Sequence, residues 1–347
     1  MKQLTVVITY YNNSKYLNKI LSNIKKINDE IDILIIDDGS MSIESNKLEN
    51  AIKKIKRKNI KYYKNENNMG AGYSKNKAVE LANSNYIIFL DSDDYVDDNY
   101  YSLILNLLNK ESVDIICTNI SIDISGVIYY ENIINDNLIR DKALRLDDIT
   151  YEIKSKHILG NKYSASACNK AIRRDLLLKN RFNHNKCDDL TAIIPAVCEA
   201  KRILYIDNLN YYYCQENNSL TRTTNIKNYY DSIDSIILTY NLLKEKNINE
   251  SLIEIFYVNN FINFIYYTIC NNSLFKCFKL SKYLSKNINK DNFSDYLTIS
   301  NQYLYRLNIN QHFLYKILNY IKNKKIITFN IYILYNRLKY KLRKLGG

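Results

Sequence analysis

Asp91-Ser92-Asp93-Asp94 sets three carboxylates side by side, directly after the apolar run Tyr86-Ile87-Ile88-Phe89-Leu90. Like charges this close repel, and each favours protonation unless a cation sits among them. A divalent ion held by Asp91 and Asp93, itself chelating a diphosphate, meets that need with hard oxygen ligands. The competing reading is that these residues only cap the helix suggested from Asp98-Asn99 onward, since Asp is a favoured N-cap. One cap does not need three carboxylates. Two further acidic pairs occupy comparable places: Asp37-Asp38 closes the run Ile31 to Ile36, and Asp188-Asp189 precedes the helical stretch Leu190 to Ala200.

The elements that must hold these groups follow from hydrophobic periodicity. Leu4 to Tyr10 is a β-branched apolar run, after which Asn12-Asn13-Ser14 supplies cap chemistry for a helix with Leu17, Ile20, Leu21, Ile24 and Ile27 on one face. Ile31 to Ile36 predicts a second strand, followed by a Lys-rich helix with Leu48, Ala51, Ile52 and Ile55 on its face. Ile60 to Tyr63 is a third short strand, Asn65 to Gly72 a polar loop, and Tyr73 to Ala82 a helix. Tyr86 to Leu90 then reads as a strand buried on both faces. Strands alternating with helices at this spacing give a parallel, Rossmann-like sheet, and such sheets bind ligands at the carboxyl ends of their strands.

Beyond Asp98 the spacing predicts a helix to about Lys110, a strand at Asp114 to Thr118 and a hairpin arm at Gly126 to Tyr130. Ile139 to Gly160 reads as an irregular connection with a helical piece, and Asp175 opens a short helix. Short strands follow at Ile203 to Ile206 and Tyr211 to Cys214, and from about Ile226 strand signals give way to helices at Ser232 to Leu243 and Leu252 to Ile269. The expected organisation is an α/β domain over 1–224, with a nucleotide-binding half (1–118) and an acceptor half (119–224), then a mainly helical region over 225–347.

Composition narrows the function classes. The chain has 347 residues and a formal net charge of +13, but after Asp295 no acidic residue follows, whereas Arg306, Lys316, Lys322, Lys324, Lys325, Arg337, Lys339, Lys341, Arg343 and Lys344 do. The surplus is concentrated in the tail, which argues against a broad nucleic-acid-binding face on the body. Seven cysteines without a Cys-x-x-Cys pair or a His partner at zinc spacing suggest buried thiols in a reducing compartment. The start of the chain lacks a basic-then-apolar signal segment, so a cytoplasmic location is expected. Ile255 to Phe275, interrupted by several Asn, reads as a core helix and not as a membrane span.

Several short motifs, in order, resemble those of a family 2 glycosyltransferase of the GT-A fold, of the kind that builds bacterial capsules and surface polysaccharides. Val7-Ile8-Thr9-Tyr10-Tyr11-Asn12 resembles the family's opening, and Ile35-Ile36-Asp37-Asp38-Gly39-Ser40 its next signature. Asn68-Met69-Gly70, with Lys75-Asn76 after it, is similar to the Asn-x-Gly and Arg-Asn segment, and Asp91-Ser92-Asp93-Asp94 to the Asp-x-Asp motif. Cys168-Asn169-Lys170, Asp188-Asp189 and Tyr213 through Ser219-Leu220-Thr221 resemble later, acceptor-side signatures. The resemblance covers about residues 3 to 222. Each motif alone is a weak match; together and in order they are strong.

The residues themselves support matching roles. Asp38 is placed to accept a hydrogen bond from a base or ribose, and Tyr10 to stack on the base; the alternative for Asp38 is a plain Asp-Gly turn. Lys75 is either a phosphate partner or a solvated helix residue. The resemblance implies that Asn68, Gly70 and Ser92 bind the nucleotide-sugar donor with them. It also implies Asp93 as the more direct ligand of Mn²⁺ or Mg²⁺, Asp91 on metal or ribose, and Asp94 toward the donor sugar. An inverting transfer needs a base for the acceptor hydroxyl, and the family places it in a Glu-Asp pair at a helix start. Here that pair is Asp188-Asp189, with Asp189 aligned to the usual base. The alternative is that both merely cap the helix. Many relatives carry a basic residue soon after the Tyr where this chain has Cys214-Gln215; Arg222 is the candidate replacement. His157 and His184 fall in the acceptor half and are given no catalytic role.

On a helix, Ile331, Leu334, Tyr335, Leu338, Leu342 and Leu345 share one narrow face and Arg337, Lys339, Arg343 and Lys344 lie elsewhere. That is the pattern of an interfacial helix drawn to anionic lipid on the inner face of the plasma membrane. A solvated helix packed on the body is the alternative. The expected function is therefore metal-dependent inverting transfer of a sugar, from a UDP-sugar or similar donor, to a glycan or lipid-linked acceptor. Two other readings compete. A nucleotidyltransferase on a related sheet would normally carry a Gly-rich loop after the first strand, and Tyr10-Tyr11-Asn12-Asn13 has no glycine. An inactive scaffold held by the basic tail would not need all three carboxylate sets.

Overall fold

The structure, a computed structural model, describes residues 2–131, 165–183, 187–215 and 226–250, together with 252, 253, 256 and 260. Expectations for 139–160, His157, His184, 219–222, most of the helix expected over 252–269 and the basic tail lie outside the described residues. The chain divides into two units, Met1–Arg222 and Thr223–Gly347.

In the first unit β1 (Leu4–Tyr10), β2 (Asp32–Asp37), β3 (Ile60–Lys64) and β4 (Tyr86–Asp91) alternate with α1 (Leu17–Lys26), α2 (Ser42–Ile55) and α3 (Ala71–Leu81). All pairings among these strands are parallel, in the order β3-β2-β1-β4. The remainder is β5 (Tyr95–Val96), α4 (Tyr100–Lys110), β6 (Ile115–Ile124), β7 (Val127–Glu131), β8 (Lys170–Arg173), α5 (Arg174–Lys179), α6 (Asp189–Glu199) and β9 (Ile203–Cys214). The sheet continues β4-β8-β6-β9-β5, with β7 paired to β6.

This half is mixed: β8 runs antiparallel to both β4 and β6, β5 antiparallel to β9, and β6 parallel to β9. The parallel sheet expected from the sequence is thus the half from β3 to β4, and the inserted β8 reverses direction at the middle. The two strands predicted at 203–206 and 211–214 are one strand, whose irregularity is absorbed by a register shift between Thr118 and Asn119 on β6.

Strand periodicity sorts the core into two layers. Leu4, Val6, Ile8 and Tyr10 of β1, Ile33 and Ile35 of β2, and Ile88 and Leu90 of β4 pack on one face, against Ile20 and Ile24 of α1 and Tyr100, Tyr101 and Ile104 of α4. Val7, Leu34, Ile36, Ile87 and Phe89 face the other way, against Ala78 and Val79 of α3, Leu176 and Leu177 of α5, and Ile193, Ala196 and Val197 of α6. The helices on either face leave one sheet edge, where β1, β2 and β4 end, to carry chemistry. In the second unit α7 (Ile226–Glu245) buries Ile233, Ile236, Tyr240 and Leu243, which share one face of the helix. Among the described residues no helix is long and apolar enough to cross a membrane.

Candidate active site

Register brings the strand ends together: Tyr10 lies beside Asp37 and Thr9 beside Asp91. The first acidic pair has an internal task. Asp37 is fully buried; its carboxylate accepts from the Ser40 backbone N–H at 2.8 Å, the Ser45 hydroxyl at 2.6 Å and the Tyr62 hydroxyl at 2.8 Å. It thereby ties the end of β2 to the start of α2. Asp38 accepts four hydrogen bonds, from Asn65 Nδ2 (2.9 Å), the Met69 N–H (3.0 Å), the Gly70 N–H (2.8 Å) and the Ser74 hydroxyl (2.9 Å). A carboxylate offers about four acceptor sites, so these donors saturate it.

The same loop closes over Gly39, whose φ is +74° and where a Cβ would stand 2.3 Å from the Asn67 carbonyl carbon. Asp38 therefore clamps the Asn-x-Gly loop, including Gly70, and any hydrogen bond to a base would be additional to that clamp. Asn68 is exposed, with its side-chain oxygen accepting the Gly70 N–H at 3.1 Å.

Tyr10 corrects an expectation. Its ring is 1% exposed in the core and its hydroxyl donates to the Glu44 carbonyl, so no ring face is presented to a ligand. The cause is strand alternation, which puts Tyr10 on the same face as Val6 and Ile8. Tyr11, 45% exposed in the turn that follows, presents an aromatic ring at this edge.

The acidic turn is braced from two sides. From α1 and the loop before it, Asn13 Nδ2 donates to Ser92 Oγ (2.7 Å), Lys19 Nζ to the Asp93 carbonyl (2.7 Å) and Asn23 Nδ2 to the Asp94 carbonyl (2.9 Å). From β9, the Tyr211 hydroxyl donates to Asp94 Oδ2 at 2.6 Å, and the Cys214 N–H to Oδ1 at 2.8 Å. Asp94 is 1% exposed, and its carboxyl is pushed well above the usual range by burial and then by Asp91 and Asp93. It is turned into the protein, where both its oxygens are engaged. Nor does the turn cap the next helix: α4 begins at Tyr100 after Asn99, without a side-chain cap bond. Asp91 and Asp93 remain partly exposed.

The third acidic pair meets Lys75. Its ammonium lies 2.6 Å from Asp189 Oδ1 and 3.0 Å from Asp188 Oδ2, with the lysine side chain 6% exposed. That placement is not a solvated helix position. Burial alone would pull Lys75 down, but Asp188, Asp189 and Asp91 outweigh it and hold the ammonium well above its ordinary value. Burial pushes the Asp188 carboxyl up to about 6, with Lys75 opposing and Asp189 adding to the rise. Asp188 precedes α6 without a side-chain cap bond, so the capping alternative is not used by that residue.

Asp189 Oδ2 accepts the Ala167 N–H at 3.0 Å, while the neighbouring Cys168 thiol donates to Asp91 Oδ2 at 3.3 Å. Two consecutive residues thus reach the second and third acidic groups. Of the cysteines expected in the core, Cys117, Cys168 and Cys214 are buried, but Cys187 is exposed and Cys198 half-buried.

Residues 5–180 match the model of the glycosyl transferase family 2 domain. The chain belongs to glycosyl transferase family 2. Among its relatives, glycosyltransferase GlyG of Streptococcus pneumoniae serotype 4 is 26% identical over 228 residues, 63% of this chain and 73% of that protein. The cholesterol galactosyltransferase of Borreliella burgdorferi is 22% identical over 238 residues, 65% of this chain and 63% of that protein. The crystal structure of Staphylococcus aureus TarS 1-349 in complex with UDP-GlcNAc is similar with a TM-score of 0.72 and 17% identity, covering 97% of this chain and 92% of that one. That likeness establishes the GT-A fold.

In this glycosyltransferase no group of three or more His, Cys, Asp or Glu side chains is arranged as an ion cage among the described residues. With Asp94 turned inward, Asp91 and Asp93 are the carboxylates left at the turn. Such a pair fits a hard divalent ion that takes further ligands from substrate phosphates, the usual manner of Mg²⁺. The bracing residues Asn13, Lys19, Asn23 and Tyr211 were not among the sequence candidates. The signal for two of them is the spacing of Lys19 and Asn23, one turn apart beside the apolar stripe of α1.

Proposed function

We propose that this glycosyltransferase moves a hexosyl or N-acetylhexosaminyl unit from a UDP-sugar to a glycan or lipid-linked acceptor in bacterial surface-polysaccharide synthesis, with inversion. The observation that carries the reading is the reach of Ala167 and Cys168 to Asp189 and Asp91, which brings the candidate base and the acidic turn to one edge of the sheet. The UDP-GlcNAc complex of TarS, a protein of the same fold, supports the choice of donor.

In this reading the Asp38 clamp shapes the loop of Asn68 and Gly70 at the nucleotide, and Tyr11 takes the stacking role that Tyr10 cannot. Asp91 and Asp93 would hold Mn²⁺ or Mg²⁺, which supplies Lewis-acid stabilisation of charge on the departing diphosphate. Ser92 and Asp94 shape that turn from within. Asp189 takes the proton from the acceptor hydroxyl as its oxygen bonds to the anomeric carbon and the bond to the diphosphate breaks. Asp188 shares the charge of the pair.

The test is a panel of nucleotide sugars assayed for nucleoside diphosphate release with Mn²⁺, with Asp189→Asn alongside. The variant should lose about 10²- to 10⁴-fold in transfer while still binding UDP. A panel without turnover, or a variant equal to wild type, would sink the proposal. We further propose that the enzyme works in the cytoplasm, peripheral on the inner membrane face, with the basic tail on anionic lipid. Full retention of anionic-vesicle binding after deletion of 323–347 would refute the tail's role.

A further inference from the structure

Helix α3 is fixed against the segment before α6 more tightly than packing alone requires. A Cβ on Gly72 would stand 1.8 Å from the Asn183 carbonyl oxygen, so only glycine permits this approach. One turn later the Asn76 amide pairs in both directions with the Phe182 backbone, donating to its carbonyl at 2.8 Å and accepting its N–H at 3.1 Å. Lys75 lies between these anchors, its ammonium over the Phe182 ring at 5.2 Å and on both carboxylates of the Asp188-Asp189 pair. With the Ala167 N–H on its other oxygen, Asp189 is held at both ends of its carboxylate.

We propose that Lys75 is a positioning residue of the acceptor side, holding the Asp189 carboxylate in its working orientation and supplying its counter-charge, in place of a donor-phosphate role. The proposal rests on the reading of Asp189 as the base. The ammonium spends two of its three donors on the pair, so a phosphate could engage it fully only by drawing it off the carboxylates and leaving them facing each other, which is strongly unfavourable. The remaining charged and titratable groups that act on this pair are Asp91 of β4, and Cys168 and Lys170 from the segment entering β8. Lys170 is itself bonded to the Ser166 carbonyl and Asn169 Oδ1, so it does not duplicate Lys75.

Lys75→Met, Lys75→Arg and Asp189→Asn separate the possibilities, with UDP and Mn²⁺ as the binding probe and the donor that turns over in the panel as the kinetic one. Lys75→Met should leave UDP affinity within about twofold, lower kcat about 100-fold and move the acidic limb of the pH profile up by about one unit, with partial return in Lys75→Arg. A tenfold or greater loss of UDP affinity with an unmoved acidic limb would overturn the proposal and make Lys75 a phosphate ligand. If Lys75→Met does not fold, the double variant Lys75→Met/Asp188→Asn removes one charge of each sign; the two changes act oppositely on Asp189, so its readout is UDP affinity, which must stay within about twofold, and a tenfold loss would overturn the proposal. An active Asp189→Asn would defeat the base reading and this inference with it. An inactive Asp189→Asn beside an unmoved limb in Lys75→Met would defeat this inference alone.

Discussion

The Tyr211 hydroxyl donates to Asp94 at 2.6 Å and accepts the Asp91 N–H at 3.2 Å, so one side chain from β9 braces both ends of the acidic turn. Tyr211 is 1% exposed, and no water can replace those bonds without a cavity. Tyr211→Phe keeps the ring and removes both bonds, leaving a buried carboxyl with one donor fewer. Urea unfolding should show a loss of about 1–3 kcal/mol. An unchanged midpoint would mean that the brace carries no stability.

Asp38 is the clamp of the neighbouring loop, and its removal should act locally. Asp38→Ala leaves Asn65, Ser74 and two backbone N–H groups without their shared acceptor. The expected cost is about 3 kcal/mol, with faster amide hydrogen exchange at Met69 and Gly70 than elsewhere in the domain. Exchange at those two amides equal to that in wild type would refute the clamp.

How far this arrangement is legible in the sequence depends on whether a local signal decides the feature. The strands β1, β2 and β4 are written as apolar runs, and acidic groups fall at the ends of β2 and β4 as expected. Even the burial of Tyr10 follows from the alternation Leu4, Val6, Ile8, Tyr10, once that rule is applied to the strand's last residue. By contrast β8 is the four residues Lys170-Ala171-Ile172-Arg173, too short and too charged at its ends to announce itself. It exists because β4 and β6 offer edges on either side of it. The inward turn of Asp94 depends on Tyr211, and the burial of Lys75 on Asp188 and Asp189. Each partner lies far along the chain, so the type of the residue was readable and its partner was not.

The Asp188 carboxyl gives the fold a pH signature. Its folded value of about 6 lies above the unfolded value of about 3.9. A group raised on folding contributes stability that is fully present below the unfolded value and is lost as pH rises through the folded one. Stability should therefore fall between pH about 4 and about 6 on account of this residue. Asp188→Asn cannot ionise and should flatten that interval in urea midpoints measured without metal. A slope preserved in the variant would assign it to other groups.

Gly72 offers a test of the packing that brings the acceptor-side groups together. It is the second residue of α3, where alanine is preferred over glycine by less than the about 1 kcal/mol of a helix interior. Here the added methyl would overlap the Asn183 carbonyl oxygen at 1.8 Å and press on the Asp188 Cβ at 3.0 Å, neither of them the far end of a flexible side chain. Either α3 or the segment must move, and Lys75 moves away from Asp188 and Asp189 with it. Gly72→Ala should thus destabilise by about 1–3 kcal/mol, reversing the helix-propensity gain, and lower transfer more than UDP binding. The two readouts distinguish mechanisms: equal losses would indicate general unfolding of the domain, whereas a selective loss of transfer is what displacement of Lys75 from the carboxylate pair requires. A variant more stable than wild type would show that the contact at Asn183 relaxes freely and does not fix Lys75.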